Sequence, residues 1–303
     1  MTFRRRALDV TFRLGQGTFG DSGFNTVKLS GRRASASITS GDSVTTAELD
    51  LRVYGMTQTV MNALTILNQD YAQRLSKGLN FVTVEASGED GGVGTVFTGG
   101  IVEAWADFSA MPETSFVVKA TTGLVDRYAS TSPSSFNGPA DAAIIMQSIA
   151  AKMGVRLENN GVQGVMLTDR NYPGSAFDQM QAVARDADIN AIIDPGTGNL
   201  VIWPRNGSRG GQIPLINASS GMVGFPSFTE YGVQVTTLYN PAIAPGGKVA
   251  IESALQPATG PEWYVYLVGH DLEAQVPGGK WFTHFEASVN RIQAAGAVAS
   301  GGA

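Results

Sequence analysis

The strongest constraint on the fold of this 303-residue chain is the punctuation of residues 221–287. Four strand-like runs, 231–238, 248–253, 263–271 and 281–287, are separated by Asn240-Pro241, Pro245-Gly246-Gly247 and Pro277-Gly278-Gly279. Proline lacks the backbone donor a central strand needs, and glycine reaches the positive-φ conformations of tight turns, so neither dipeptide extends a strand. Short runs rich in Val, Thr, Tyr, Phe and Trp, broken at such turns, predict a small closed antiparallel sheet.

Residues 1–122 carry the same signal. Leu8, Val10, Phe12 and Leu14 alternate on one face, as do Leu49, Leu51 and Val53, the two-residue period of a half-buried strand. Further strands are predicted over 33–39, 81–87, 94–108 and 114–120, with Glu89-Asp90-Gly91-Gly92 as a hairpin turn. One helix interrupts them at 58–68, capped by Thr57, with Val60, Met61, Leu64 and Leu67 at helical spacing.

Residues 123–220 change character. Pro139 is predicted to open a helix over 140–153 whose apolar side is Ile144, Ile145, Ile149 and Met153; a strand follows at 155–158. Ser175 caps a second helix, 176–187, with Phe177, Met180, Val183 and Ala184 inward, and the segments 189–194 and 200–203 bracket a Pro-Gly-Thr-Gly-Asn hairpin. The predicted organisation is β-rich α+β: a first β-barrel domain (1–122), a small α+β domain (123–220), a second β-barrel domain (221–290) and a flexible tail (291–303).

Composition narrows the function classes. With no cysteine, disulfides and thiolate metal sites are excluded. Charged residues make up only 16%, glycine is abundant at 37 residues, and the net charge of −5 argues against general nucleic-acid affinity. No apolar run of ~20 residues predicts a membrane span, and no apolar stretch follows the N-terminal arginines as a signal peptide requires. Basic residues cluster early, at Arg4, Arg5, Arg6, Arg13, Lys28, Arg32 and Arg33, either as a basic edge for an acidic partner or as a solvated strand face.

Three patterns invite a chemical reading and read better as structure. His270, Asp271, Glu273, His284 and Glu286 contain donor types for a metal or acid–base site but lack a ligand spacing such as His-Glu-x-x-His. Gly15-Gln16-Gly17-Thr18-Phe19-Gly20 matches the dinucleotide fingerprint, yet no helix opens after Gly20. Glu48 and Asp50 share a strand face with Arg52, a solvated pattern rather than a hydrolase pair. The four tryptophans, 105, 203, 263 and 281, lie in predicted strands and are expected in cores or subunit interfaces rather than as sugar platforms. No cofactor is expected.

Two segments resemble one known family. Residues 49–64, Leu-Asp-Leu-Arg-Val-Tyr-Gly-Met-Thr-Gln-Thr-Val-Met-Asn-Ala-Leu, and residues 221–287, with Gly224-Phe225-Pro226, Leu238-Tyr239-Asn240-Pro241, Gly269-His270 and Pro277-Gly278-Gly279 before Trp281, are similar to the hub (baseplate hub) proteins of bacteriophage tails. That resemblance implies a non-enzymatic virion protein, made in the host cytoplasm. It would form a homotrimer whose two tube-protein-like barrels per chain make a pseudo-sixfold ring. The ring would join the tail tube or distal tail protein to the central spike, contact the tape-measure protein and baseplate wedge proteins, and leave a channel through which DNA passes only in transit. Interface residues are then expected at Arg4, Arg5, Arg6, Arg32, Arg33, Tyr54, Met56, Tyr239, Asn240, Pro241, Gly246, Gly247, Pro277, Gly278, Gly279 and Trp281. The alternatives are a tail-associated cell-wall-degrading enzyme and a carbohydrate-binding β-module.

Overall fold

The computed structural model describes residues 6–20, 23–42, 46–66, 78–87 and 92–289. Arg4, Arg5, the end of the 58–68 helix, the turn residues Glu89 to Gly91 and the 291–303 tail lie outside them. The alternating segments become strands whose apolar positions are buried. β1 (Leu8–Arg13) buries Leu8, Val10 and Phe12, β3 (Ala34–Gly41) buries Ala34, Ala36 and Ile38, and β4 (Glu48–Tyr54) buries Leu49, Leu51 and Val53. β2 (Thr26–Leu29), β5 (Phe81–Ser87), β6 (Val93–Asp107) and β7 (Ser115–Thr121) complete the first part. α1 (Gln58–Leu64) starts at Thr57, whose hydroxyl accepts from the Val60 N–H, and buries Met61 and Leu64. Gly15 of the glycine-rich loop sits against the backbone of Gly78, where a Cβ would lie 2.3 Å from the Gly78 carbonyl carbon. Close backbone approach, not phosphate binding, accounts for that glycine.

In the middle region a five-residue helix, α2 (Leu124–Tyr128), precedes the hairpin-like pair β8 (Ser134–Asp141) and β10 (Met166–Tyr172). Pro139 therefore lies in a strand of a two-stranded ribbon, not at a helix start. The helix α3 (Ala142–Met153) begins after Asp141, whose carboxylate accepts from Ala143 N–H as the cap and from Gly164 N–H. This two-residue shift rotates the buried stripe to Ala142, Ile145, Met146, Ile149 and Ala150, and leaves Ile144 exposed. The helix α4 (Ala176–Asp186) has the expected Ser175 cap, reinforced by a reciprocal bond from the Ser175 N–H to Asp178, and buries Phe177, Met180, Val183 and Ala184. β9 (Leu157–Asn159), β11 (Ile189–Ile193) and β12 (Leu200–Pro204) form a three-stranded sheet with the order β11-β12-β9.

The final part contains β13 (Leu215–Ile216), β14 (Ser227–Phe228), β15 (Val233–Leu238), β16 (Lys248–Ile251), β17 (Gly260–Ala274) and β18 (Trp281–Ser288). β13 pairs with β16, so pairing to the last sheet begins a few residues before position 221. The decisive feature is long-range. β17 pairs along β3 from Leu267↔Gly41 to Ala274↔Ala34, fusing the first and last parts into one sheet of 13 strands, with the main path β14-β15-β18-β17-β3-β4-β7-β6-β5-β1-β2. One end of the last part joins the first core, where Tyr239, Leu272, Ala274 and Trp281 pack with Leu8, Phe12, Phe97 and Phe116, while the rest of it keeps a core of its own around Val235, Trp263 and Phe285. Each part is organised about a 15-residue strand, β6 or β17, which exchanges partners along its length. β6 leaves β5 for β7 at Gly100, and β17 leaves β16 for β3 beyond Tyr264. The two parts are thus alike in construction without any repeat in residue identity.

Candidate functional site

Within the large sheet, the run of eight strands β14-β15-β18-β17-β3-β4-β7-β6 forms a wall to which each part contributes four, before the path continues through β5, β1 and β2. All seven neighbouring pairs are antiparallel. One face lies on the cores described above. The other is set by register: Glu103, Lys119, Asp50, Ser37, Asp271 and Phe282 lie opposite one another on successive strands, from β6 to β18. Side chains directly opposite across a ladder share a face. The outward face consequently carries seven carboxylates, Glu48, Asp50, Glu103, Asp107, Asp271, Glu273 and Glu286, against two permanent cations, Arg52 and Lys119.

Only part of this negative charge is neutralised locally. Arg52 lies 2.9 Å from Asp107 and Lys119 3.9 Å from Glu103. Hydrogen bonds from Ser109, then from Arg52, hold the Asp107 carboxyl down at about 2. Glu48 and Asp50, adjacent to Arg52 along β4, are not the groups it pairs with among the described contacts.

The two histidines do not converge on a site. His270 is on the core side of β17, its Nδ1 2.9 Å from the Thr283 hydroxyl and its ring edge-on to Tyr239. Burial, and then the His284 charge, press it down to about 4, against the pull of Asp271. His284 is on the outward face, 2.9 Å from Thr236 Oγ1 and 3.4 Å from Asp271. Among the described residues no group of three or more His, Cys, Asp or Glu is placed to hold a metal ion.

A second feature is a cleft of about 720 Å³ where the α+β unit meets both parts of the sheet, lined by Thr95, Thr197, Arg209 and Lys248 among others. Arg209 bridges Glu158 at 2.9 Å and Asp194, with its side chain only 13% exposed. Burial alone would raise the Asp194 carboxyl; the Arg209 charge and bonds from Thr197 outweigh it and hold Asp194 below the usual range. Backbone bonds tie the same corner together: Thr98 N–H donates to the Pro195 carbonyl and Arg209 N–H to the Gly246 carbonyl. Gly246, at φ +78°, is pressed onto the Trp203 ring, 2.4 Å from where its Cβ would stand. Arg209 carried no motif, since its two carboxylate partners stand 15 and 51 residues away.

The expected interface residues divide accordingly. Tyr239 and Trp281 are buried and stacked edge-to-face within the chain, and Gly246 is buried under Trp203, so intrachain packing claims these three. Their aromatic or turn character made them look like contact residues; the fused core takes up Tyr239 and Trp281, and the Trp203 ring of the α+β unit covers Gly246. Gly247 lines the cleft with Pro241. Asn240 is half-buried and caps its own turn by accepting from Ala242 N–H. Arg6 donates to the Gly279 carbonyl at 2.7 Å, which joins the basic N-terminal segment to the turn at Pro277 and Gly278, both exposed. Arg33 bridges Glu113 at 2.7 Å and covers the Tyr54 ring. Arg32 is exposed beside Gly55, and Met56 is half-buried against the first core. Trp203, Trp263 and Trp281 are buried, and Trp105 alone among the tryptophans is exposed.

Comparison with known proteins bears on the whole of this architecture. A family model described as baseplate hub gp41 matches residues 7–277. Among solved structures, the 43 kDa tail protein of prophage MuSo2 from Shewanella oneidensis is similar at 11% identity and a TM-score of 0.60, over 94% of this chain and 99% of that one. A tail protein from Neisseria meningitidis MC58 is similar at 9% identity and a TM-score of 0.62, over 95% and 98% of the two chains. The Escherichia coli c3393 protein, a component of the type VI secretion system, is similar at 9% identity and a TM-score of 0.56, over 84% and 73%. At such identities these structures speak to the fold. No curated protein matches the chain by sequence.

Proposed function

The chain belongs to the baseplate hub gp41 family, and from that premise we propose that it is the structural hub of a phage tail tip, a homotrimer that closes into a ring between the tail tube and a central spike. Membership makes it a structural tail protein and a component of the virion. The ring, its channel and its neighbours are the proposal.

The observation that carries it is the eight-strand wall. Each chain supplies two four-stranded halves of like construction, fused through β3 and β17, so three chains supply six halves: a sixfold surface on a threefold assembly. A sixfold tube could seat on the halves, and a trimeric spike on the threefold repeat. The outward face of the wall is the surface such a ring would turn to its lumen. Seven carboxylates against two cations repel phosphate, so DNA in transit is not gripped. The reading requires no bound cofactor and no catalytic group.

Light scattering of the purified chain, together with its position in a reconstruction of the tail tip, tests this. A three-copy ring on the tail axis with the wall facing the channel is expected. A chain located off the axis, or one whose wall faces the capsid-distal exterior, would refute it. Loss of cell-wall hydrolysis on mutating any described carboxylate would instead support the enzymatic alternative.

A further inference from the structure

Six residues with little or no side chain, Gly196, Gly210, Gly211, Ala242, Ala244 and Gly247, line the cleft of about 720 Å³ where the α+β unit meets both parts of the sheet. The charges on its walls are already matched, Arg209 by Glu158 and Asp194, and Lys248 by Glu262 at 2.8 Å. A charged occupant would give up hydration there without a free counter-charge to meet it, so a neutral segment with small side chains fits best. The rim also offers backbone. The parallel pairing of β13 with β16 begins at Pro214, whose carbonyl accepts from Ala250 N–H. Among the described residues, the N–H and C=O groups of Gly211, Gln212 and Ile213 just before it have no hydrogen-bond partner. Free backbone donors and acceptors of this kind can pair with an added extended chain. The sequence beyond β18 has the matching chemistry: residues 290–303 are fourteen in number, eight of them alanine or glycine, and Arg291 is the only charge among them. They also start close by. Ser288 at the end of β18 lies opposite Tyr264, and Tyr264 opposite Lys248 on the cleft wall, two strand spacings or roughly 10 Å away. Fourteen residues reach up to about 46 Å when extended. We propose that this cleft is the docking site of the chain's own residues 290–303, which pair with the backbone of 211–213 and strap the α+β unit to both parts of the sheet. Such a strap forms within a single chain, whether or not three copies close into a ring.

In the full-length chain, amide exchange at Gly211, Gln212 and Ile213 is measured against the rates of a free peptide of the same sequence. Cover by the strap should slow these amides ~10-fold or more, about 1.4 kcal/mol of local protection; exchange at the free-peptide rates would overturn the docking. The sequence holds no cysteine, so introduced thiols are the only ones. Oxidation of full-length chains carrying Ala242→Cys with Ala295→Cys, Ala297→Cys or Ala299→Cys in turn then identifies the cover. A disulfide needs Cα atoms within about 7 Å. At least one of the three pairs should therefore close within a monomer and migrate faster on a non-reducing denaturing gel. Ile144→Cys with Ala297→Cys, whose first site is an exposed position of α3 outside the cleft, should stay reduced. Slowed exchange with disulfides only between chains, or with none, would assign the cover to something other than the chain's own segment and overturn the strap. Equal disulfide formation from Ile144→Cys would overturn it as well.

Discussion

Replacing Arg209 by methionine removes the one cation that two carboxylates of the central corner share. Asp194 is 10% exposed and Arg209 13% at the side chain, whereas Glu158 is 36% exposed and can turn to water. Breaking a buried pair from one side costs about 3–5 kcal/mol, because the remaining charge has lost its partner. Since Glu158 escapes most of that penalty, Asp194 carries it, and a loss of about 3 kcal/mol is expected, a drop of roughly 5 °C in the unfolding midpoint at about 2.1 cal/mol/K of unfolding entropy per residue. The pH dependence follows from the sign of the Asp194 shift. In the native protein its folded carboxyl is held below the unfolded value, so its stabilisation is present above the unfolded carboxylate pKa and is lost as pH falls through the folded one. In Arg209→Met the Arg209 charge and hydrogen bond are gone and only the bonds from Thr197 still oppose burial, so the folded pKa rises, protonation relieves the variant and its deficit narrows as the pH is lowered toward 4. Adding Asp194→Asn to Arg209→Met should recover part of the loss, since the amide still accepts from the Gly196 and Thr197 N–H groups without a buried charge. Thermal unfolding of the four chains of this cycle, at pH 7 and at acid pH, measures the coupling. If Arg209→Met melts within about 0.5 kcal/mol of the parent at pH 7, the range of ordinary surface substitutions, the corner is not held as described and the reasoning fails.

Three further outcomes can be checked on the same footing. Gly246→Ala places a methyl group 2.4 Å from the Trp203 ring at φ +78° and should cost about 2–4 kcal/mol of unfolding free energy, the sum of left-handed strain and overpacking. Asp141→Ala removes the α3 cap and the bond to Gly164 N–H; chemical denaturation should show a loss of about 1–2 kcal/mol. His270 is pressed down to about 4 by burial, so its neutral folded form stabilises the protein above the unfolded pKa of about 6.5, and up to about 3 kcal/mol is lost as pH falls from there toward 4. His270→Gln should flatten that acid limb in a pH series of melting curves, and an unchanged limb would place the acid sensitivity elsewhere.

Much of the local structure was legible in the residues. Leu8, Val10 and Phe12 announce β1 by alternation alone, and Ser175 announces α4 by its cap. The misplacements have local causes too. Pro139 is as acceptable at the margin of a strand ribbon as at a first helical turn, and only the Gly164 and Ala143 N–H groups meeting at Asp141 decide where α3 begins. Tyr239 and Trp281 looked like contact residues because aromatics beside turns suit interfaces and cores equally.

By itself the sequence determined the periods, the caps, the turns, the sparse charge and the lack of thiols, and its wording pointed to the right family. These properties are read within a few residues, where sterics and hydrogen bonding to near neighbours decide conformation. Tertiary structure alone decided that the two sheet-forming parts are one sheet. Nothing in residues 34–41 names residues 267–274 as partner, because any exposed strand edge satisfies the same backbone donors and acceptors. The choice falls to the merged core of Phe12, Phe116, Leu272 and Trp281, whose burial is paid once the chain ends have met. The same long-range closure brings Arg209 to Glu158 and Asp194, and lines the carboxylates of seven separate positions along one face.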